Sequence, residues 1–130
     1  MSNVSALIKE RFPRVSWVGF YLVHNGKLIL GPFQGKVACN EIKFNAGVCG
    51  LSYREARPVI VSDVSSFPGH IACDPLSRSE IVVPLFNKDD EIIGVLDLDS
   101  EHYDNFDEED ELYLTKLINK IKKFFKEEKR

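Results

Sequence analysis

A chain of 130 residues that is 44% hydrophobic is long enough for one domain with a single core and too short for two ordinary ones. Its 17 lysines and arginines stand against 20 aspartates and glutamates, for a net charge of −3 and a pI near 5.6, which argues against nucleic acid as a partner because duplex binding needs a basic stripe. No apolar run approaches the roughly 20 residues that cross a bilayer, Met1-Ser2-Asn3-Val4 lacks the features of a signal peptide, and three cysteines do not make a disulfide framework. The chain reads as cytoplasmic, without a membrane partner.

Ser5 to Phe12 is predicted as a short helix with Ala6, Leu7 and Phe12 on its apolar side, stopped by Pro13. Ser16 to Val23 alternates as a strand, with Trp17, Gly19 and Tyr21 on one face and Val18, Phe20 and Leu22 on the other. Asn25-Gly26 is a strong two-residue hairpin signal, and Lys27 to Leu30 returns as the next strand. Gly31 to Gly35 is expected to break that strand, with Ala38-Cys39 on a short edge segment and Glu41 to Phe44 alternating again. Gly47-Val48-Cys49-Gly50 opens a helical stretch that Pro58 ends, and Val59-Ile60-Val61 leads into a long loop from Ser62 to Ser79. Ile81 to Phe86 and Ile92 to Leu98 form a second hairpin. Asp107 begins a helix with acidic residues in its first turn and lysines in its last turns, as the helix dipole favours. Its apolar stripe is Leu114, Leu117, Ile118, Ile121 and Phe125. The expected class is α+β: an antiparallel sheet of about five or six strands, with terminal helices on one face and loops plus a short helix on the other.

Cys73 lies in a Gly/Pro-punctuated loop, near His70 and Arg78 in the chain, either of which could lower its pKa; it is a nucleophile or a small packing residue. Cys49 sits at a helix start, where the dipole and free N–H groups favour a thiolate or an anion, or else marks only a tight turn into the helix. Cys39, Cys49, Cys73 and His70 would suffice for zinc on paper, but no CxxC pair anchors them. Asp97 and Asp99 share one strand face and Glu80 opens another strand. Carboxylates so placed repel, so at least one should hold its proton, and the group could bind an ammonium or donate a proton; the alternative is a solvated strand end. Trp17 and Tyr21 are core aromatics or the wall of a pocket for a methyl or sulfur-bearing group.

Five segments taken together resemble the free methionine-(R)-sulfoxide reductases, single GAF-domain enzymes of the cytoplasm. They are Gly31 to Cys39, Gly47 to Gly50, Phe67 to Asp74, Ser77 to Leu85 and Gly94 to Ser100, and Trp17-Val18-Gly19-Phe20-Tyr21 extends the match. The resemblance implies a GAF fold over residues 1–130 and reduction of free, not peptide-bound, methionine (R)-sulfoxide. It implies Cys73 as nucleophile passing through a sulfenic acid, Cys39 as resolving cysteine in a Cys39–Cys73 disulfide, Cys49 as an accessory thiol and thioredoxin as reductant. Glu80, Asp97 and Asp99 would line the substrate pocket, Trp17 and Tyr21 would supply its aromatic wall, and Glu80 is the expected proton donor. No cofactor or resident metal is expected. Relative to the family, the segment before the first strand is shortened, which bears on homodimer formation. The competing function is a non-catalytic GAF module that senses a small molecule.

Overall fold

The computed structural model describes residues 1–70 and 74–124. Among them, helix α1 (Ser2–Arg11) is followed by strands β1 (Val15–His24), β2 (Lys27–Gln34) and β3 (Glu41–Lys43), helix α2 (Gly47–Glu55) and strand β4 (Val59–Val61). Strands β5 (Ser79–Phe86) and β6 (Ile92–Ser100) and helix α3 (Glu108–Ile121) complete the order. The strands form one antiparallel sheet in the order β3-β2-β1-β6-β5-β4. This is the expected α+β arrangement.

The sheet is buried on both faces. On one, Val18, Phe20, Ile81, Val83, Leu85, Leu96 and Leu98 pack with Ile8 of α1 and with Leu114 and Ile118 of α3. Burying each such side chain stabilises the fold by about 1.5–3 kcal/mol. Asp107 caps α3 by accepting a hydrogen bond from the Asp110 N–H, and the Asp110 carboxylate accepts one from the Asp107 N–H. On the other face, Trp17, Tyr21, Leu28, Ile42, Val59, Val82 and Val95 pack with Val48 and Cys49 of α2.

Several expectations need correction. Helix α1 begins at Ser2 and turns Ser5 and Ile8 inward, while Leu7 is exposed. Strand β2 does not break at Gly31. It runs on to Gln34, because an irregularity opposite Gly19–Tyr21 lets Pro32, which has no N–H, stay within the pairing. Ala38 and Cys39 lie in irregular chain rather than on an edge strand. A short 3-10 turn at Val64–Ser66 interrupts the long loop, and that loop ends at Arg78 because Ser79 already pairs in β5. Phe125 lies outside the described residues. No described helix is long and apolar enough to cross a membrane.

Candidate active site

Sheet register assembles the site. Across β1, β6 and β5, Trp17 pairs with Asp99 and Asp99 with Glu80; in the next row Gly19 pairs with Asp97 and Asp97 with Val82. A second register shift, between Val15 and Trp17, explains why Val15 faces the terminal helices while Trp17, two residues on, faces α2. Both ends of this region are pinned. The Ser79 hydroxyl donates to the His102 carbonyl at 2.6 Å, and the Ser100 hydroxyl donates to the Arg14 carbonyl at 2.8 Å.

The indole of Trp17 stacks on Phe33 (centroids 5.5 Å apart, 20° between planes) and on Tyr21 (6.0 Å, 29°). Gly19 makes room for it: a Cβ there would come within 2.5 Å of both Phe33 Cβ and the far edge of the indole. Trp17 Nε1–H donates to the Lys36 carbonyl at 3.0 Å, and the Tyr21 hydroxyl donates to the Cys39 carbonyl at 2.9 Å. These two bonds hold the irregular segment 36–39 over the sheet. Beneath it lies a pocket of about 590 Å³, part of it open to solvent, lined by the aromatic pair, the start of α2, His70, Asp74, Ser77 and the three acids Glu80, Asp97 and Asp99.

Electrostatics follow from burial. Glu80 and Asp97 are 5% and 6% exposed. Burial, then the charges of Asp97 and Asp99, push the Glu80 carboxyl well above the usual range; burial, then the Asp97 charge, does the same to Asp99. Asp97 is also pushed up by burial, but hydrogen bonding from Glu80, Cys49 and Asp99 pulls it back. Burial thus favours the neutral form at all three acids, most strongly at Glu80 and Asp99 and least at Asp97. His70 Nε2 lies 3.7 Å from Glu80 Oε1, and burial lowers the imidazole's pKa, so it sits there as the neutral ring. Burial, then Asp97, raises the phenol of Tyr21. Two buried polar atoms, Ser77 Oγ and Asp97 Oδ1, have no hydrogen-bond partner among the described residues, and both residues line the pocket.

The structure thus brings together Trp17, Tyr21, Cys49, Glu80, Asp97 and Asp99, and sets Cys39 at the pocket's edge through its carbonyl. Cys73 lies outside the described residues. Arg78 is not among the pocket's lining residues: its guanidinium lies over the Tyr103 ring at 5.3 Å and donates to the Tyr103 hydroxyl at 3.2 Å, and its expected influence on Cys73 concerns a residue outside the described ones. Of the two readings of Cys49, the thiolate is the one that fails. Cys49 is a buried free thiol whose pKa is raised, by burial first and by Asp97 next, so the helix start does not make it a thiolate. The zinc set weighed from the sequence is not the one that meets. Among the described residues the grouping with ligand atoms close enough to share an ion is Cys49, Glu80 and Asp97. Sequence reasoning missed Ser77, because a serine in a loop carries no pattern that tells a buried hydroxyl from a solvated one.

Comparison with known proteins identifies the family and the fold. The GAF domain family model matches residues 3–122. "GAF domain-containing protein A" of Dictyostelium discoideum is 52% identical over 91% of this chain and 74% of its own length. "Free methionine-R-sulfoxide reductase" of Escherichia coli is 47% identical over 95% of this chain and 74% of its own length. Among solved structures, free methionine-R-sulfoxide reductase from Neisseria meningitidis in complex with its substrate superposes with a TM-score of 0.87 at 52% identity, covering 91% of this chain and 71% of that one.

Proposed function

The chain belongs to the GAF-domain family of free methionine-(R)-sulfoxide reductases, and from that membership we propose that it reduces free L-methionine (R)-sulfoxide to L-methionine in the pocket beneath segment 36–39. The observation that carries the reading is the cluster of buried Glu80 and Asp97 with half-buried Asp99 beside the Trp17–Tyr21 wall. It offers acids that burial favours protonated, Asp97 least of the three, at the foot of an aromatic surface.

Each part of a free amino acid finds a complement there. Asp97 attracts the ammonium. The start of α2, where Ala46 supplies no side-chain cap, offers backbone N–H groups to the carboxylate. The thioether end packs against the indole and phenol. A peptide-bound residue has neither free terminus, so it would lose both polar contacts.

Chemically, the Cys73 thiolate attacks the sulfoxide sulfur while Glu80 protonates the oxygen, which leaves as water. Water then adds to the Cys73 sulfur as the transient S–S bond breaks and its electron pair returns to the methionine sulfur. The sulfoxide gains two electrons and becomes a thioether; Cys73 loses two and becomes a sulfenic acid. The Cys39 thiol then attacks that sulfenic acid, releasing water and forming the Cys39–Cys73 disulfide. Thioredoxin, a dithiol, reduces the disulfide through a mixed-disulfide intermediate in the cytoplasm. Cys49 stays outside the cycle, consistent with its burial as a neutral thiol. Exposed Leu7, Leu112 and Tyr113 on the terminal helices support a homodimer formed through that face.

The test is a coupled assay with thioredoxin, thioredoxin reductase and NADPH. Free methionine (R)-sulfoxide should drive NADPH oxidation and a sulfoxide within a peptide should not. Cys73→Ser should abolish turnover and Cys49→Ser should keep a substantial rate. Near-normal activity of Cys73→Ser would overturn the assignment of the nucleophile. A sensor would release no methionine and form no disulfide when incubated with sulfoxide alone, which mass spectrometry reads directly.

A further inference from the structure

Cys49 enters no step of that cycle, yet its sulfur is held against two of the three pocket acids. The Sγ of Cys49, a carboxylate oxygen of Glu80 and a carboxylate oxygen of Asp97 all lie within 4.8 Å of one another, and all three residues are buried. They come from α2, β5 and β6, elements packed on one another, so backbone rather than flexible loop sets their spacing. Asp97 Oδ1 lacks a hydrogen-bond partner among the described residues although Asp97 is only 6% exposed, so a buried acceptor stands open toward the pocket. His70 Nε2, 3.7 Å from Glu80 Oε1, brings a neutral imidazole to the same place from the loop side.

We propose that Cys49, Glu80 and Asp97, joined by His70, form a site for a soft divalent cation of the zinc class, which occupies the floor of the pocket and excludes the small-molecule ligand. One sulfur, one imidazole nitrogen and two carboxylate oxygens make a four-coordinate donor set suited to zinc or cadmium; the sulfur disfavours magnesium and calcium. Metal–ligand distances of about 2.0–2.3 Å place neighbouring ligand atoms roughly 3.3–3.8 Å apart. The separations among the ligand atoms of Cys49, Glu80 and Asp97 therefore close by at most about 1.5 Å, within the reach of side-chain rotation. The open mouth of the pocket gives the ion access. Binding displaces the Cys49 thiol proton and the Glu80 carboxyl proton to solvent as the metal–sulfur and metal–oxygen bonds form. It is reversible and involves no electron transfer, so the ion acts as an inhibitor rather than as a participant in turnover.

Binding can be read without any assay of activity, so its failure and the failure of the reductase reading are separate results. In a Cys39→Ser/Cys73→Ser variant, Cys49 is the remaining thiol, and cadmium should produce the ultraviolet charge-transfer band of a cadmium thiolate with one ion per chain. Adding Cys49→Ser should remove the band, and adding Asp97→Asn or Glu80→Gln should weaken binding about tenfold or more. Should the double cysteine variant fail to fold, equilibrium dialysis of zinc with the reduced, otherwise unaltered protein gives the second reading. Affinity should then fall about tenfold or more in Asp97→Asn and stay unchanged in Cys39→Ser. The absence of a band in folded double variant, or cation affinity indifferent to Asp97 and Glu80, would overturn the proposal.

Discussion

Replacing Glu80 by glutamine keeps the size of the side chain and removes its exchangeable proton. Glu80 is 5% exposed and sits between Val61 of β4 and Asp99 of β6. Its carboxyl is pushed well above the ordinary value of 4.5 by burial and then by the charges of Asp97 and Asp99. Between that ordinary value and the folded one, the native chain keeps a proton that the unfolded chain has released. The stability that neutral Glu80 contributes is therefore complete below about pH 4.5 and is lost as the pH rises toward the folded value. For one proton the slope is at most about 1.4 kcal/mol per pH unit. Glutamine has no such slope, so the variant should match the wild type in acid and become the more stable of the two as the pH rises. Its activity should fall by about 10²–10⁴, because an amide cannot protonate the departing oxygen. Urea unfolding of both proteins from about pH 5 to about pH 8, beside the NADPH-coupled rate, measures the two effects on the same samples. A stability difference that stays flat across that range, or a variant with full activity, would refute the reasoning.

Trp17→Phe keeps a ring in the stack but removes the Nε1–H donor to the Lys36 carbonyl; it should cost about 0.5–1.5 kcal/mol in thermal unfolding and raise KM more than it lowers kcat. Gly19→Ala drives a methyl group against the indole and Phe33 Cβ, with an expected loss of about 1–3 kcal/mol. Because Trp17 is the single tryptophan of the chain, its displacement should appear as a red shift of the fluorescence. Asp107→Ala removes the α3 cap far from the pocket, so it should cost about 1 kcal/mol in stability and leave kcat/KM unchanged.

How much of this was legible in the sequence depends on the range of the interaction concerned. Alternation is local, so the common face of Asp97 and Asp99, and that of Trp17, Gly19 and Tyr21, could be read from residues two apart. The meeting of Glu80 with Asp99 is a matter of register between strands, fixed by the hairpin through Asn87 and by the Ser79 and Ser100 side-chain bonds, which no single segment carries. The irregularity that lets β2 continue past Gly31 and Pro32 depends on β1 in the same way. On α1, adjacent apolar residues left the inward face ambiguous, and packing against the sheet selected Ile8 over Leu7.

The failure of the thiolate reading of Cys49 shows how magnitudes decide. A helix start favours a nearby negative charge by about 0.3–1 kcal/mol, and by up to about 2 kcal/mol where the geometry is partly buried. Removing an ion from water costs several kcal/mol, and a neighbouring carboxylate adds repulsion. Cys49 is 3% exposed and lies beside Asp97, so both opposing effects act on it and the dipole is outweighed. The uncapped start of α2 is consequently not spent on its own thiol. The start of α2 and the acid Asp97 both line the same pocket from facing elements. The proposed grip on a free amino acid by both of its termini requires that pairing of donors and an acceptor.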